Sequence, residues 1–175
     1  VADQNNNPGV AVVHDIEALY RAHRPAVYRF ALALSGNATD AEDITAETFL
    51  RVWTARDRLD LSTVIGYLLT IARHLYLQGV RHAARRESLE QDVVDPVPSI
   101  AVQSAARDAL AAALADLQTL PEVDRAAVLM RAQEHLPYDE IAAALRITPG
   151  AAKVKVHRAR QRLWTLRQAR EGYTK

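Results

Sequence analysis

The chain contains no cysteine, which excludes a disulfide framework, a thiol nucleophile and a thiolate metal site. Aromatic residues are only 6% of the total, and alanine is abundant, a balance that favours packed helices over sheets. No run of apolar residues approaches the roughly 18–20 needed to span a bilayer. No basic-then-apolar segment opens the chain. The expectation is a cytoplasmic protein. The histidines, His14, His23, His74, His82, His135 and His157, are scattered without the H-x-x-x-H spacing of a helical metal site. There is no nucleotide-binding glycine loop. Asp139 and Glu140 are adjacent, so on a helix they point about 100° apart and form no catalytic dyad. Neither metal nor cofactor is expected, and nothing in the chain performs covalent chemistry, so it is read as a non-enzyme.

What is present is a chain of 175 residues, 49% of them hydrophobic, with room for one large or two small domains. Residues 1–13 are polar, with Asn5-Asn6-Asn7-Pro8-Gly9, and read as a loose tail. From Ile16 to about Leu34 the apolar residues Leu19, Tyr20, Val27, Phe30, Ala31 and Leu34 keep a helical spacing, and Ser35-Gly36-Asn37 ends that helix. Thr39 with Glu42 three residues later forms a capping box for a helix to about Ala55, with Ile44, Phe49, Leu50 and Trp53 as its apolar side. After a polar connection, a third helix runs from about Thr63 to Arg86. Ser88–Ser104, with Asp92, Asp95, Pro96, Pro98 and Ser99, lacks a sustained period and reads as a flexible linker. An alanine-rich helix to about Leu120 and a helix from Leu120-Pro121-Glu122 to near Glu134 follow. The fold class is all-α: two small helical domains over residues 14–87 and 105–170, with a short tail at 171–175.

Net charge is only +1, so bulk charge points to no partner, but the charges are segregated. Asp40, Glu42, Asp43 and Glu47 cluster, which suits a basic partner; part of this acidity suits the start of a helix. From Leu61 to Arg86 there is no acid, and Arg73, Arg81, Arg85 and Arg86 are basic. From Thr148 to Arg170 there is again no acid among Lys153, Lys155, Arg158, Arg160, Arg162, Arg167 and Arg170. This last stretch opens with Thr148 as a helix cap and Pro149 at the first helical position. Ala152, Val156, Ala159 and Leu163 share one face. Upstream, Tyr138–Leu145 is a short amphipathic helix with Ile141, Ala142 and Leu145 inward, and only Arg146 and Ile147 separate it from Thr148. Two helices, a tight turn and a basic second helix read as a helix-turn-helix that lays its second helix in the DNA major groove.

With these residues laid out, the chain resembles the bacterial RNA polymerase sigma factors of the extracytoplasmic-function (ECF) group, over roughly Asp15–Arg86 and Ala105–Gln168. Asp40-Ala41-Glu42-Asp43-Ile44-Thr45-Ala46-Glu47-Thr48-Phe49-Leu50-Arg51-Val52-Trp53 is similar to the family's D-A-E-D-x-x-Q-E-T-F-L-R-x-W, with Ala46 in place of the glutamine. Leu120–Leu163 is similar to the family's L-P-x-x-x-R…L-R, x-Y-x-E-I-A and G-x-x-K-x-x-x-x-R-A-R. The resemblance implies sigma region 2 over 14–87, for polymerase docking and for recognising and melting the minus-ten element. It implies a region 4 helix-turn-helix over 105–170 for the minus-thirty-five element.

The implied partners are the β′ and β subunits of core polymerase, promoter DNA and an anti-sigma factor that hides the docking face. Polymerase contact falls to Asp40, Glu42, Asp43, Glu47, Arg51 and Trp53, with Arg51 exposed and Phe49 and Trp53 beneath the acidic face. Minus-ten contact falls to Leu61, Ser62, Thr63, Tyr67, Arg73, His74, Tyr76, Gln78 and Arg81, with Tyr76 expected to be exposed. Tyr67, Thr70, His74 and Gln78 stand where the family usually has tryptophan, arginine, asparagine, and aspartate or asparagine. Lys153, Val154, His157 and Arg158, flanked by Arg160, are implied on minus-thirty-five base edges. Thr148, Gly150 and Lys155 suit phosphate. Arg146 replaces a turn glycine, and in a left-handed conformation would cost about 1 kcal/mol. Two rival readings differ in outcome. A stand-alone helix-turn-helix regulator would not need polymerase, and a sigma-like decoy would bind polymerase or an anti-sigma factor without opening promoters.

Overall fold

A computed structural model of the protein describes residues 8–54, 64–87 and 105–172. These form α1 (Pro8–Ser35), α2 (Ala38–Thr54), α3 (Val64–Glu87), α4 (Ala105–Gln118), α5 (Glu122–Gln133), α6 (Tyr138–Leu145) and α7 (Pro149–Gly172), with no strand among the described residues. The expected linker, 88–104, lies outside the described residues, as do Leu61, Ser62 and Thr63.

Helix α1 starts at Pro8, inside the stretch expected to be a loose tail. Proline suits the first helical position, and Val10-Ala11-Val12-Val13 interposes no breaker before the apolar period begins. The helix ends at Gly36, whose φ of +75° is left-handed and whose N–H donates to the Leu32 carbonyl at 2.8 Å. Glycine takes that conformation without a Cβ penalty. The next helix is capped by Asn37 rather than by the expected Thr39–Glu42 box. Its Oδ1 accepts from the N–H groups of Thr39 at 2.8 Å and Asp40 at 3.1 Å. Asparagine directly after the left-handed glycine reaches both amides before Thr39 can serve as a cap.

Val27, Phe30 and Leu34 of α1 pack against Ile44, Phe49 and Val52 of α2 and Leu68, Leu69 and Ala72 of α3, all buried. Two buried threonines on α2 are satisfied locally. Thr45 donates to the Ala41 carbonyl at 2.6 Å and Thr48 to that of Ile44 at 2.7 Å. The apolar side of α2 is narrower than its composition suggests, because Leu50 and Trp53 lie exposed.

The second half does not stand apart. Ala126, Ala127 and Met130 of α5, and Ile141 and Leu145 of α6, belong to the same buried cluster as the first three helices. Alanines at the α5 contact let the backbones approach closely. Polar contacts reinforce the seam. Arg73 on α3 makes a forked pair with Glu122 on α5, at 2.6 and 2.8 Å. Arg125 donates to the Tyr76 hydroxyl at 3.0 Å and to the Gln118 side-chain carbonyl. Gln118 in turn donates to the Ala33 carbonyl at 3.2 Å. Arg29 pairs with Glu134 at 3.2 Å.

Candidate nucleic-acid interface and docking cleft

The turn before α7 is built from three local choices. Arg146 adopts a left-handed conformation, φ 56° and ψ 48°, directly after α6. The N–H groups of Arg146 and Ile147 close on the carbonyls of Ala143 and Ala142 at 3.3 and 3.0 Å, as at helix ends that reverse direction. Thr148 then accepts the Ala151 N–H on its hydroxyl at 3.2 Å. Pro149 and Gly150 follow as the first helical residues, so the Gly150 N–H is among the amides a helix leaves without an internal partner. A Cβ at Gly150 would meet nothing within 4 Å, so this helix start is open to a ligand.

On α7, Ala152, Val156 and Ala159 are buried and Leu163 is half-buried. The opposite face presents Lys153, Val154, His157, Arg158 and Arg160 to solvent, as expected. Among the described residues, Lys153, His157, Arg158, Arg160 and Arg162 have no hydrogen-bonding or ionic partner. Several other arginines are engaged, among them Arg21 with Glu17, Arg51 with Glu47 and Arg73 with Glu122. Lys155 departs from the expected set. Its ammonium lies 2.9 Å from an Asp124 oxygen, and Asp124 is only 4% exposed. Lys155 therefore ties α7 to α5 rather than reaching outward. One exposed residue on this helix was not singled out from sequence. Trp164 lies one turn beyond the motif's last basic positions and is 66% exposed.

The expected minus-ten residues divide. Tyr67, His74 and Arg81 are exposed. Arg73 is held by Glu122. Tyr76, expected to be exposed, is half-buried; its hydroxyl accepts from Arg125, whose guanidinium sits 5.8 Å from the ring centre. Gln78 accepts from Arg51 at 3.2 Å. Packing of the second half on α3 accounts for the covering of Arg73 and Tyr76, and no local sequence pattern reports a partner 49 residues away.

On α2, Asp40, Glu42 and Asp43 are exposed. Arg51, expected to be exposed, is half-buried because it bridges Glu47 at 2.9 Å and Gln78. Phe49 packs edge-on to Tyr20 at 4.8 Å, whereas Trp53 lies at the surface rather than beneath the acidic face. Between α2 and α3 is an open cleft of about 430 Å³. Asp40, Asp43 and Glu47 line one wall, and Leu75, Val80 and Ala83 line the other. Carboxylates over an apolar floor suit a segment that is basic on one side and apolar on the other. Among the described residues no group of three His, Asp or Glu side chains is placed to hold a metal ion. None of the described helices is long and apolar enough to cross a membrane.

Two family models match the chain: Sigma-70 region 2 over residues 19–86 and Sigma-70 region 4 over residues 109–163. RNA polymerase sigma factor CarQ of Myxococcus xanthus is 32% identical, over 84% of this chain and 86% of its own length. The chain belongs to the ECF RNA polymerase sigma factors. ECF sigma factor SigE of Mycolicibacterium smegmatis is 39% identical over 84% of this chain; the chain spans 59% of that relative's length. SigM of Bacillus subtilis is 29% identical over 86% of this chain and 94% of its own. Two solved structures show the same fold. Sigma factor RpoE of Bartonella quintana, solved with the anti-sigma factor NepR, has a TM-score of 0.73 at 24% identity, over 88% of this chain and 97% of that one. CnrH, solved with the cytosolic domain of CnrY, has a TM-score of 0.62 at 23% identity, over 88% of each chain. The all-helical, two-part sigma-factor fold expected from sequence is the fold found.

Proposed function

We propose that this ECF sigma factor initiates transcription through three surfaces: an α2–α3 cleft that docks on core polymerase, an α3 face that holds the opened minus-ten strand, and an α7 face that reads the minus-thirty-five element. The synthesis of RNA belongs to the polymerase, and the chain contributes binding and selection in the cytoplasm. The observation that carries this reading is the set of unpaired cations on α7, Lys153, Arg158, Arg160 and Arg162, set opposite its buried stripe and behind a capped tight turn. Cations left without carboxylate partners are ready to displace the counterions of DNA. Each good bidentate contact to a base adds about 1–3 kcal/mol of discrimination.

Opening the minus-ten element costs a few kcal/mol per unstacked step. Stacking a freed base on an aromatic side chain returns about 1–3 kcal/mol, which is the right size to offset it. Tyr67 is available at the surface for that role. Arg73 and Tyr76 become available only when α5 leaves α3, so promoter engagement through them requires the two halves to separate. The carboxylate rim of the α2–α3 cleft supports docking of a basic amphipathic polymerase element. An anti-sigma partner that occupies this cleft would compete with polymerase. The RpoE structure, solved with the anti-sigma factor NepR, supports such a partner.

Reconstitution with core polymerase tests this reading. The protein should co-elute with core polymerase in gel filtration and yield discrete run-off transcripts from a genomic promoter library. A Lys153→Ala/Arg158→Ala variant should lose about tenfold to a hundredfold of promoter-specific transcript, while its co-elution with polymerase is unchanged. Equal loss of both, or transcription without any start-site preference in the unaltered protein, overturns it.

A further inference from the structure

Among the described large apolar side chains, Trp164 is the most exposed, at 66%. Its surroundings are not those of an apolar docking patch. It lines an open concavity with His157, Arg160, Gln161 and Thr165. Among the described residues the indole makes no hydrogen bond and no ring contact. The lining includes Arg160 and no acidic residue, so the complementary charge for this surface is negative.

Its position along α7 specifies the kind of ligand. Trp164 follows His157 by seven residues, which is two turns and about 10.5 Å along the axis, on nearly the same side of the helix. It lies about 15 Å beyond Val154. The N-terminal residues of a recognition helix meet base edges, and the major groove is about 12 Å wide. A side chain that far along the rod has left the groove floor and meets its wall, where phosphate and deoxyribose lie. An indole suits that wall: the ring can cover a sugar while Nε1–H donates to a phosphate oxygen.

We propose that Trp164 is a positioning residue that clamps the sugar-phosphate backbone at the edge of the minus-thirty-five groove. The inference rests on the reading that α7 lies in that groove. A backbone clamp acts on every sequence alike, so it sets affinity and register rather than base preference.

The test uses the full chain, whose α7 face is exposed as it stands, and two unrelated mixed-sequence duplexes of about two helical turns. Trp164→Ala should bind both duplexes about tenfold more weakly, and Trp164→Phe, which keeps a ring and loses the N–H, should fall between. With 5-fluorotryptophan incorporated, the Trp164 fluorine resonance, assigned by its loss in Trp164→Phe, should shift on adding duplex. Suppose Trp164→Ala binds normally while Lys153→Ala/Arg158→Ala binds weakly: the clamp is overturned and the α7 reading stands. If neither variant weakens binding, both fall. If the fluorine signal responds to core polymerase and not to duplex, the indole faces protein and the clamp is overturned.

Discussion

Arg146 holds a backbone conformation that only glycine adopts without strain. Nothing is gained locally from its side chain, which is exposed and pairs with no described group. Arg146→Gly should therefore stabilise the protein by about 1 kcal/mol, which for a chain of this size is about 2–4 °C in Tm. Thermal unfolding followed by circular dichroism checks this; an unchanged or lower Tm would mean that added freedom of the unfolded chain cancels the relief. Sequence alone marked this position, because a tight turn between two helices demands a left-handed residue somewhere. It did not mark Asn37, since Thr39 and Glu42 offer a plausible cap two residues later. The choice was settled by where Gly36 reverses the chain, a backbone fact that no spacing of side chains encodes.

At the scale of the element, α7 was legible and α2 less so, for a common reason. The buried stripe of α7 is sparse and strictly periodic, so its outward face could be read by subtraction. The second helix carries more apolar residues than its neighbours can cover. Leu50 and Trp53 therefore sit outside, and periodicity could not say which of the excess would be left there. Lys155 shows a second limit, because a cation within a basic run looks like its neighbours until the buried Asp124 is found beside it. Removing Lys155 leaves that carboxylate buried without its ionic partner, a change that costs 3–5 kcal/mol in fully buried pairs. Lys155 keeps 28% side-chain exposure, which reduces the figure. Lys155→Ala should thus destabilise by about 2 kcal/mol, whereas Lys153→Ala, with no partner to orphan, should lie within about 0.5 kcal/mol of the parent. Urea unfolding of the two variants side by side separates a strut from an unpaired surface cation, and equal midpoints would contradict the pairing.

For the whole molecule, the unexpected feature is the seam. Two helical halves were legible from composition and motif, but their mutual packing was not. It depends on complementary groups such as Arg73 with Glu122 and Tyr76 with Arg125, separated along the chain by residues that carry no shared period. Each hydrogen bond to a charged group contributes about 1.5–3 kcal/mol. Glu122→Gln with Tyr76→Phe should accordingly raise the population of separated halves by about tenfold or more. An added Ala126→Cys, at a position buried in the cluster that the two halves share, should react with a thiol reagent about tenfold faster in the variant than in the parent. Equal rates would show that the apolar contacts alone hold the seam.

The seam also sets what any titration of this protein can measure. A ligand that grasps α3 and α5 apart from each other finds most molecules folded shut, so its observed Kd is the intrinsic constant divided by the small fraction already ajar. Weak binding in such an assay would then report the latch as much as the lock, and a variant that strengthens it need touch neither binding surface.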